Sequence, residues 1–174
     1  MRKKPVGLVV IVAALVAGAV SLAPGQDKAG TAAVKTPNIQ GTYMLVSRDL
    51  PNGAVQKPPA IVGMVTYTEK YRNFNVAWSD SAGKHVSISY VAEYTLTDKE
   101  YVEKNLYFCM NDEITGTGLK YDFTQANGKA PVTTDGSKLK IKLPLHDEPE
   151  IVFEGSKLTA TRPGVFVDHW EKVR

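Results

Sequence analysis

The sequence predicts an all-β protein: an antiparallel up-and-down barrel of about eight to ten strands, preceded by an export signal and a flexible tether. Three observations carry this expectation. Apolar and polar side chains alternate with period two over most of the chain beyond residue 38. Turn-forming residues recur at short spacing between the alternating runs. No segment of useful length shows the 3.6-residue repeat of an amphipathic helix.

Taken in order, residues 1–23 have the three parts of a secretory signal. Arg2-Lys3-Lys4 form a basic start, Val6 to Val20 is an unbroken apolar run, and small residues follow. Cleavage after Ala19 or after Ala23 fits the small-residue rule, and both remain open. The apolar run is shorter than the roughly 20 residues that span a bilayer comfortably, which favours cleavage over a retained anchor. With cleavage, no stable membrane insertion is expected. Residues 24–38 are rich in Gly, Ala, Lys, Thr and Pro without periodicity, the composition of a flexible linker.

Residues 39–174 form the predicted barrel domain. Phe74, Val76 and Trp78 alternate with Asn75, Ala77 and Ser79. Val86, Ile88, Tyr90, Ala92, Tyr94 and Leu96 occupy one side of a long strand, with mostly polar residues opposite. Val102, Leu106, Phe108 and Met110 read as a further apolar face, interrupted by Lys104. Leu139, Ile141, Leu143 and Leu145 alternate with lysines. Each pattern buries one face and wets the other. The expected turns lie at Pro51-Asn52-Gly53, Asp80-Ser81-Ala82-Gly83, Asn127-Gly128, Asp135-Gly136 and Glu154-Gly155-Ser156. So many short strands in one domain favour closure, because an open sheet leaves unpaired edges. Tyr43–Leu45 and Phe166–Val173 are the strands expected to meet and close the ring.

Charge and cysteine content narrow the function. The net charge of +3 resides in Arg2, Lys3 and Lys4; removing those three of 21 basic residues leaves 18 against 18 acidic ones. A neutral domain has no electrostatic pull toward nucleic acid or anionic lipid, so no nucleic-acid partner is expected. Cys109 is the single cysteine, so the domain stands without an internal disulfide, and its apolar neighbours suggest a buried packing residue. No Gly-x-Ser-x-Gly, Walker loop, dinucleotide fingerprint or His-Glu-x-x-His occurs, so the sequence implies no catalytic residues, no cofactor and no metal site.

The stretch Ile39-Gln40-Gly41-Thr42-Tyr43-Met44-Leu45-Val46-Ser47 resembles the opening strand of the bacterial lipocalin-like domain family, where Gly-Thr-Trp followed by Leu-Val-Ser is typical. Gly63-Met64-Val65-Thr66-Tyr67-Thr68 is similar to that family's Gly-x-x-x-Tyr-Thr strand, followed as there by a Tyr, Tyr71. Asp168-His169-Trp170-Glu171-Lys172-Val173 resembles its Trp-Glu-Arg-type ending. The resemblance runs from Ile39 to Arg174, in the middle by pattern alone. It implies a calycin-type barrel. In lipocalins proper a Trp of the first strand stacks near a basic residue of the last strand under the floor. Tyr43 stands at that place here, leaving Lys172 or Arg174 as the cation. The resemblance implies a fold far more than an activity.

Two polar clusters invite a chemical reading. His146-Asp147-Glu148-Pro149-Glu150 gathers an imidazole and three carboxylates. On an extended chain His146 and Glu148 share a side that Asp147 does not, so a solvated acidic turn is the expected role rather than a metal site. In the last strand His169 and Glu171 share one face, and Phe166, Asp168, Trp170 and Lys172 the other. One of the two faces looks inward. The residues expected to line a ligand cavity are Tyr67, Phe74, Trp78, Tyr90, Tyr94, Phe108, Tyr121 and His169. Aromatics facing inward either line a cavity or fill the barrel, and alternation alone does not separate the two.

The first expectation for function is therefore an exported protein, periplasmic or extracellular, that binds a small apolar or amphipathic molecule in the barrel. The alternative is a structural or protein-interaction module with a filled barrel. A weaker alternative is a cofactor-free isomerase or cyclase.

Overall fold

The computed structural model describes residues 38–174. The expected signal sequence, and all of the expected linker but Asn38, lie outside the described residues. The strands are β1 (Gly41–Asp49), β2 (Val55–Gln56), β3 (Ile61–Tyr67), β4 (Tyr71–Ser79), β5 (His85–Leu96) and β6 (Glu100–Asp112). They continue with β7 (Gly118–Asp122), β8 (Asn127–Asp135), β9 (Lys138–Lys142), β10 (Glu150–Glu154), β11 (Lys157–Arg162) and β12 (Phe166–Lys172).

Ten of these form a closed antiparallel barrel in the order β1-β3-β4-β5-β6-β8-β9-β10-β11-β12, and β12 returns to pair with β1. Tyr43 lies opposite Lys172 and Leu45 opposite Trp170 in that closing ladder. Closure satisfies the backbone of both terminal strands, which an open sheet would leave exposed. The two remaining strands are accessory: β2 pairs with β1 and β7 with the upper half of β6.

Turns at Gly53, Gly83, Gly136 and Gly155 have φ between 56° and 82°, the left-handed region their sequences suggested. Asn127-Gly128 departs from expectation. It opens β8 instead of turning. Gly128 is required there for space, since a Cβ would sit 2.8 Å from Pro144 Cβ and 2.9 Å from Leu145 Cδ2.

Two bulges reset the alternation that the sequence displays. In β1 the ladder to β12 shifts between Leu45 and Ser47. Tyr43 and Leu45 point inward before the shift, and Arg48 does so after it. In β6 the ladder to β5 shifts where Val91 faces Tyr107 but Ala92 faces Asn105, leaving Leu106 as the extra residue. The inward residues are thus Tyr101, Glu103 and Asn105 below the bulge and Phe108 and Met110 above it. This corrects the single face expected through Val102, Leu106, Phe108 and Met110. A bulge inserts one residue and so exchanges the faces of everything beyond it.

Candidate functional site

One end of the barrel is solid. Tyr43, Tyr67, Tyr94, Tyr101 and Phe153 fill it, each at most 6% exposed. Their rings meet mostly edge-to-face, with Tyr67 5.4 Å from Phe153 and 5.6 Å from Tyr94, while Tyr94 stacks on Tyr101 at 5.7 Å. The Tyr43 hydroxyl donates to the Ile39 carbonyl at 3.1 Å and the Tyr94 hydroxyl to the Thr68 carbonyl at 2.6 Å. Burial pushes the Tyr94 phenol up to about 12. Lys172 Nζ lies 5.7 Å from the Tyr43 ring centroid, so this Tyr and a cation of the last strand do meet under the floor.

Above this floor lies a layer of buried charge. Arg72, on the inward face of β4, donates from Nη1 to Glu103 Oε1 at 3.0 Å and to Glu148 Oε2 at 2.9 Å. Its Nη2 donates to Glu148 Oε1 at 2.6 Å. The guanidinium packs 5.3 Å from the Phe74 centroid and 5.1 Å from that of Tyr90. Burial raises the Glu148 carboxyl above its ordinary range against the opposing pull of Arg72. Burial, reinforced by the Glu103 charge, also holds the Tyr90 phenol well above its ordinary value.

Toward the opposite end the barrel opens into a cavity of about 420 Å3. Val65, Val76, Ile88, Met110, Ile151, Leu158 and Ala160 form its aliphatic wall, and Phe74, Trp78, Tyr90, Phe108, Phe166 and Trp170 its aromatic one. Room for the Trp170 indole comes from Gly63 on β3, where a Cβ would approach Cη2 to 2.7 Å. An interior void of this size separates the two expectations left open by alternation: the aromatics floor one half and wall a cavity in the other.

Two features frame the mouth. Arg48, turned inward by the β1 bulge, holds Asp168 of β12 with both arms of its guanidinium, Nε to Oδ1 at 2.6 Å and Nη2 to Oδ2 at 2.8 Å. Its Cζ lies 4.6 Å from the Trp78 centroid and 4.2 Å from that of Phe166. Burial raises the Asp168 carboxyl, and the hydrogen bonds and charge of Arg48 oppose the rise. The second feature is the loop from Leu143 to Pro149 between β9 and β10. His146 and Asp147 adopt φ of 53° and 51°, which folds the loop inward. His146 stacks on Phe108 at 4.1 Å, and burial lowers its pKa so that the neutral imidazole is favoured at pH 7. Asp147 turns outward to pair with Arg162. The expectation of a solvated acidic turn is corrected: its side-chain alternation holds, but Glu148 is carried inside because Arg72 neutralises it there.

Polar atoms without a protein partner collect in the same region. Among the described residues, the buried unpartnered side-chain atoms on cavity-lining residues are Arg72 Nε, Tyr90 Oη, His146 Nε2 and Trp170 Nε1.

Of the eight residues expected to line the cavity, Tyr67, Phe74, Trp78, Tyr90 and Phe108 do so. Tyr94 is interior but belongs to the floor. Tyr121 and His169 lie outside. Tyr121 is 57% exposed on β7, an accessory strand that laps β6 instead of joining the ring. His169 points outward and its Nε2 lies 2.9 Å from Asp49 Oδ2, because the inward face of β12 is the one carrying Phe166, Asp168 and Trp170. Cys109 shares that outer location: it sits opposite Tyr121 and is only half-buried. Arg48, Arg72, Glu103, His146 and Glu148 were not anticipated as interior residues. Arg72 was legible, since it continues the Phe74–Val76–Trp78 face backward by one step. Arg48 and Glu103 were hidden by the bulges. Among the described residues no group of three or more His, Cys, Asp or Glu side chains is placed to hold a metal ion.

No protein-family model, curated protein or solved structure gives a significant match to this chain.

Proposed function

We propose that this chain is an exported, lipocalin-like barrel that binds a small apolar or amphipathic molecule in the cavity at its open end. The observation carrying the proposal is that cavity, about 420 Å3 and walled mainly by aromatic and aliphatic side chains with a few convergent polar ones. Ligand pockets have this size, roughly 300–1,000 Å3, and this lining. The Tyr43–Lys172 contact beneath the floor supports the lipocalin-like assignment, and the basic start and apolar run of residues 1–23 support export.

Titration with N-phenyl-1-naphthylamine, a neutral apolar fluorophore, tests the reading. Both tryptophans of the chain line the cavity, so occupancy is expected to change their fluorescence in step with the probe signal and to saturate at one molecule per chain. Native mass spectrometry after mild purification should show the same stoichiometry. Absence of saturable binding by both methods would dispose of the proposal.

A second reading, a protein-interaction module, draws on the outer surface. Leu119, Tyr121 and Phe123 are 57%, 57% and 62% exposed, on or beside β7, whose far edge is unpaired among the described residues. On that reading Tyr121→Lys abolishes concentration-dependent association in sedimentation velocity without affecting probe binding.

A further inference from the structure

The sheet is unfinished at one place on the outer surface. β7 pairs with β6 along one edge, and its other edge makes no ladder and no backbone hydrogen bond among the described residues. The remaining free edge, β2, offers only Val55 and Gln56. A row of unpaired N–H and C=O groups is a template for a further strand. The side chains of β7 are as unfinished as its backbone. The exposed Leu119, Tyr121 and Phe123 share the outer face, with Phe123 5.6 Å from Tyr107 and 5.9 Å from Tyr121. Lys120 and Asp122 lie on the other face, opposite Met110 and Phe108. Lys120 makes no ion pair among the described residues. Asp122 has only His146, 3.8 Å away, whose neutral form burial favours.

A second β7, related to the first by a two-fold axis, can add antiparallel in two central registers. With Lys120 on the axis, Lys120 faces its own copy, and like charges directly opposite one another repel. With Tyr121 on the axis, Lys120 faces Asp122 of the second copy, twice per dimer, and Leu119 faces Phe123. The second register pairs both charges and gathers the exposed apolar side chains into one outer cluster. Residues beside that cluster present no charge to an approaching copy: Ser87 and Asn111 adjoin Leu119, Ser89 and Cys109 adjoin Tyr121, and Val91 and Tyr107 adjoin Phe123. Interface centres are depleted of charge in this way. The outer face of β9 and β10, with Lys138, Lys140, Lys142, Glu150 and Glu154, has no such stretch.

We propose that β7 is a dimerisation edge, through which two copies of this chain pair antiparallel about a two-fold axis at Tyr121. The proposal rests on the protein-interaction reading above, naming its partner and register, and is independent of what the cavity holds. Such an interface is closed: each copy occupies the edge of the other, so assembly stops at two. Five residues of edge and three large side chains bury less than the roughly 800 Å2 per partner of a tight complex, so the dimer forms at micromolar concentrations and above.

Sedimentation velocity of the full chain between about 1 and 200 μM is expected to show monomer passing to dimer and nothing larger. Lys120→Glu, which sets Glu against Asp twice, should weaken association about fivefold or more, and adding Asp122→Lys should restore it. Cysteine trapping in a Cys109→Ser background checks the register without altering Asp122. Tyr121→Cys places two thiols across the axis with Cα atoms about 4.5–5.5 Å apart, within reach of a disulfide. Lys120→Cys leaves its two copies about 8 Å apart, beyond reach. In a glutathione redox buffer the first variant should become a linked dimer several-fold faster than the second. A chain that stays monomeric throughout the range overturns the proposal together with the protein-interaction reading. A dimer indifferent to Lys120→Glu, one trapped equally at both positions, or growth beyond two copies overturns the β7 pairing alone and leaves that reading standing.

Discussion

Replacing Arg48 by Met tests the interior charge pairing directly. Met keeps an unbranched apolar stem between Trp78 and Phe166 but leaves Asp168 alone. The carboxylate is 3% exposed and accepts two hydrogen bonds from Arg48, at 2.6 and 2.8 Å. Breaking such a buried pair from one side costs roughly 3–5 kcal/mol, most of it the stranded charge. The size of the loss should depend on pH in a defined direction. Burial already raises the Asp168 carboxyl, and Arg48 is the principal influence opposing that rise. Without Arg48 the folded-state value climbs further above the unfolded one. A carboxyl whose pKa is raised on folding is stabilised relative to the unfolded chain at low pH, and that advantage disappears as pH rises through the folded value. The difference between wild type and Arg48→Met is therefore expected to be full at pH 7.5 and markedly smaller at pH 4.5. Urea unfolding followed by far-ultraviolet circular dichroism at both pH values measures it. The double replacement Arg48→Met with Asp168→Leu should recover most of the stability, because it strands no charge. A loss below about 1 kcal/mol at pH 7.5 would mean the pair behaves as if solvated. That result, or a loss equal at both pH values, would refute the reasoning.

Three further outcomes are expected. His146, whose pKa is lowered by burial, resists a proton that the unfolded chain accepts near pH 6.5, so stability falls as pH drops below that value; His146→Gln should show a smaller drop in Tm between pH 7 and pH 5 than wild type. Ala160→Phe places a ring in the cavity and is expected to weaken N-phenyl-1-naphthylamine binding at least about tenfold with an unchanged circular dichroism spectrum; undiminished binding would locate the probe elsewhere. Gly128→Val pushes against Pro144 and Leu145, where even a Cβ would lie within 3.0 Å, and should cost about 1–3 kcal/mol in urea titrations; no measurable cost would show that the loop from Leu143 to Pro149 yields freely.

The barrel was readable in the sequence because its signal is repeated. Every strand that buries one face writes the same alternation, and runs such as Val86 to Leu96 or Leu139 to Ile141 keep their phase throughout. Closure was readable because Tyr43–Leu45 and Phe166–Val173 both looked like strands at opposite ends of the domain. The polar interior was not, for two physical reasons. A bulge adds one residue without any compositional mark, so Val102 and Leu106 looked inward when Glu103 and Asn105 are the residues inside. A buried ion pair joins residues far apart in the chain, such as Arg72 with Glu148, and each member alone looks like a surface charge. The accessory strand β7 misled in the opposite direction: its aromatic Tyr121 suggests a core that the ring, complete without β7, does not extend to it.

The bulges and the buried charges form one arrangement. On β6 the bulge divides a polar lower half, Glu103 and Asn105, from an apolar upper half, Phe108 and Met110. On β1 the order is reversed, with Tyr43 and Leu45 below and Arg48 above. An unbulged β6 would continue Glu103 and Asn105 into Tyr107, and would turn Phe108 and Met110 out to solvent. The cavity wall would then lose two of its apolar residues. Apolar residues of similar volume would serve the stability of the fold about as well as the charge layer does. What Arg72 and its partners add is a fixed polar layer between the aromatic floor and the cavity, the guanidinium held by three hydrogen bonds to Glu103 and Glu148. The phase shifts in β1 and β6 are how this chain places an apolar wall and a charged layer in one interior.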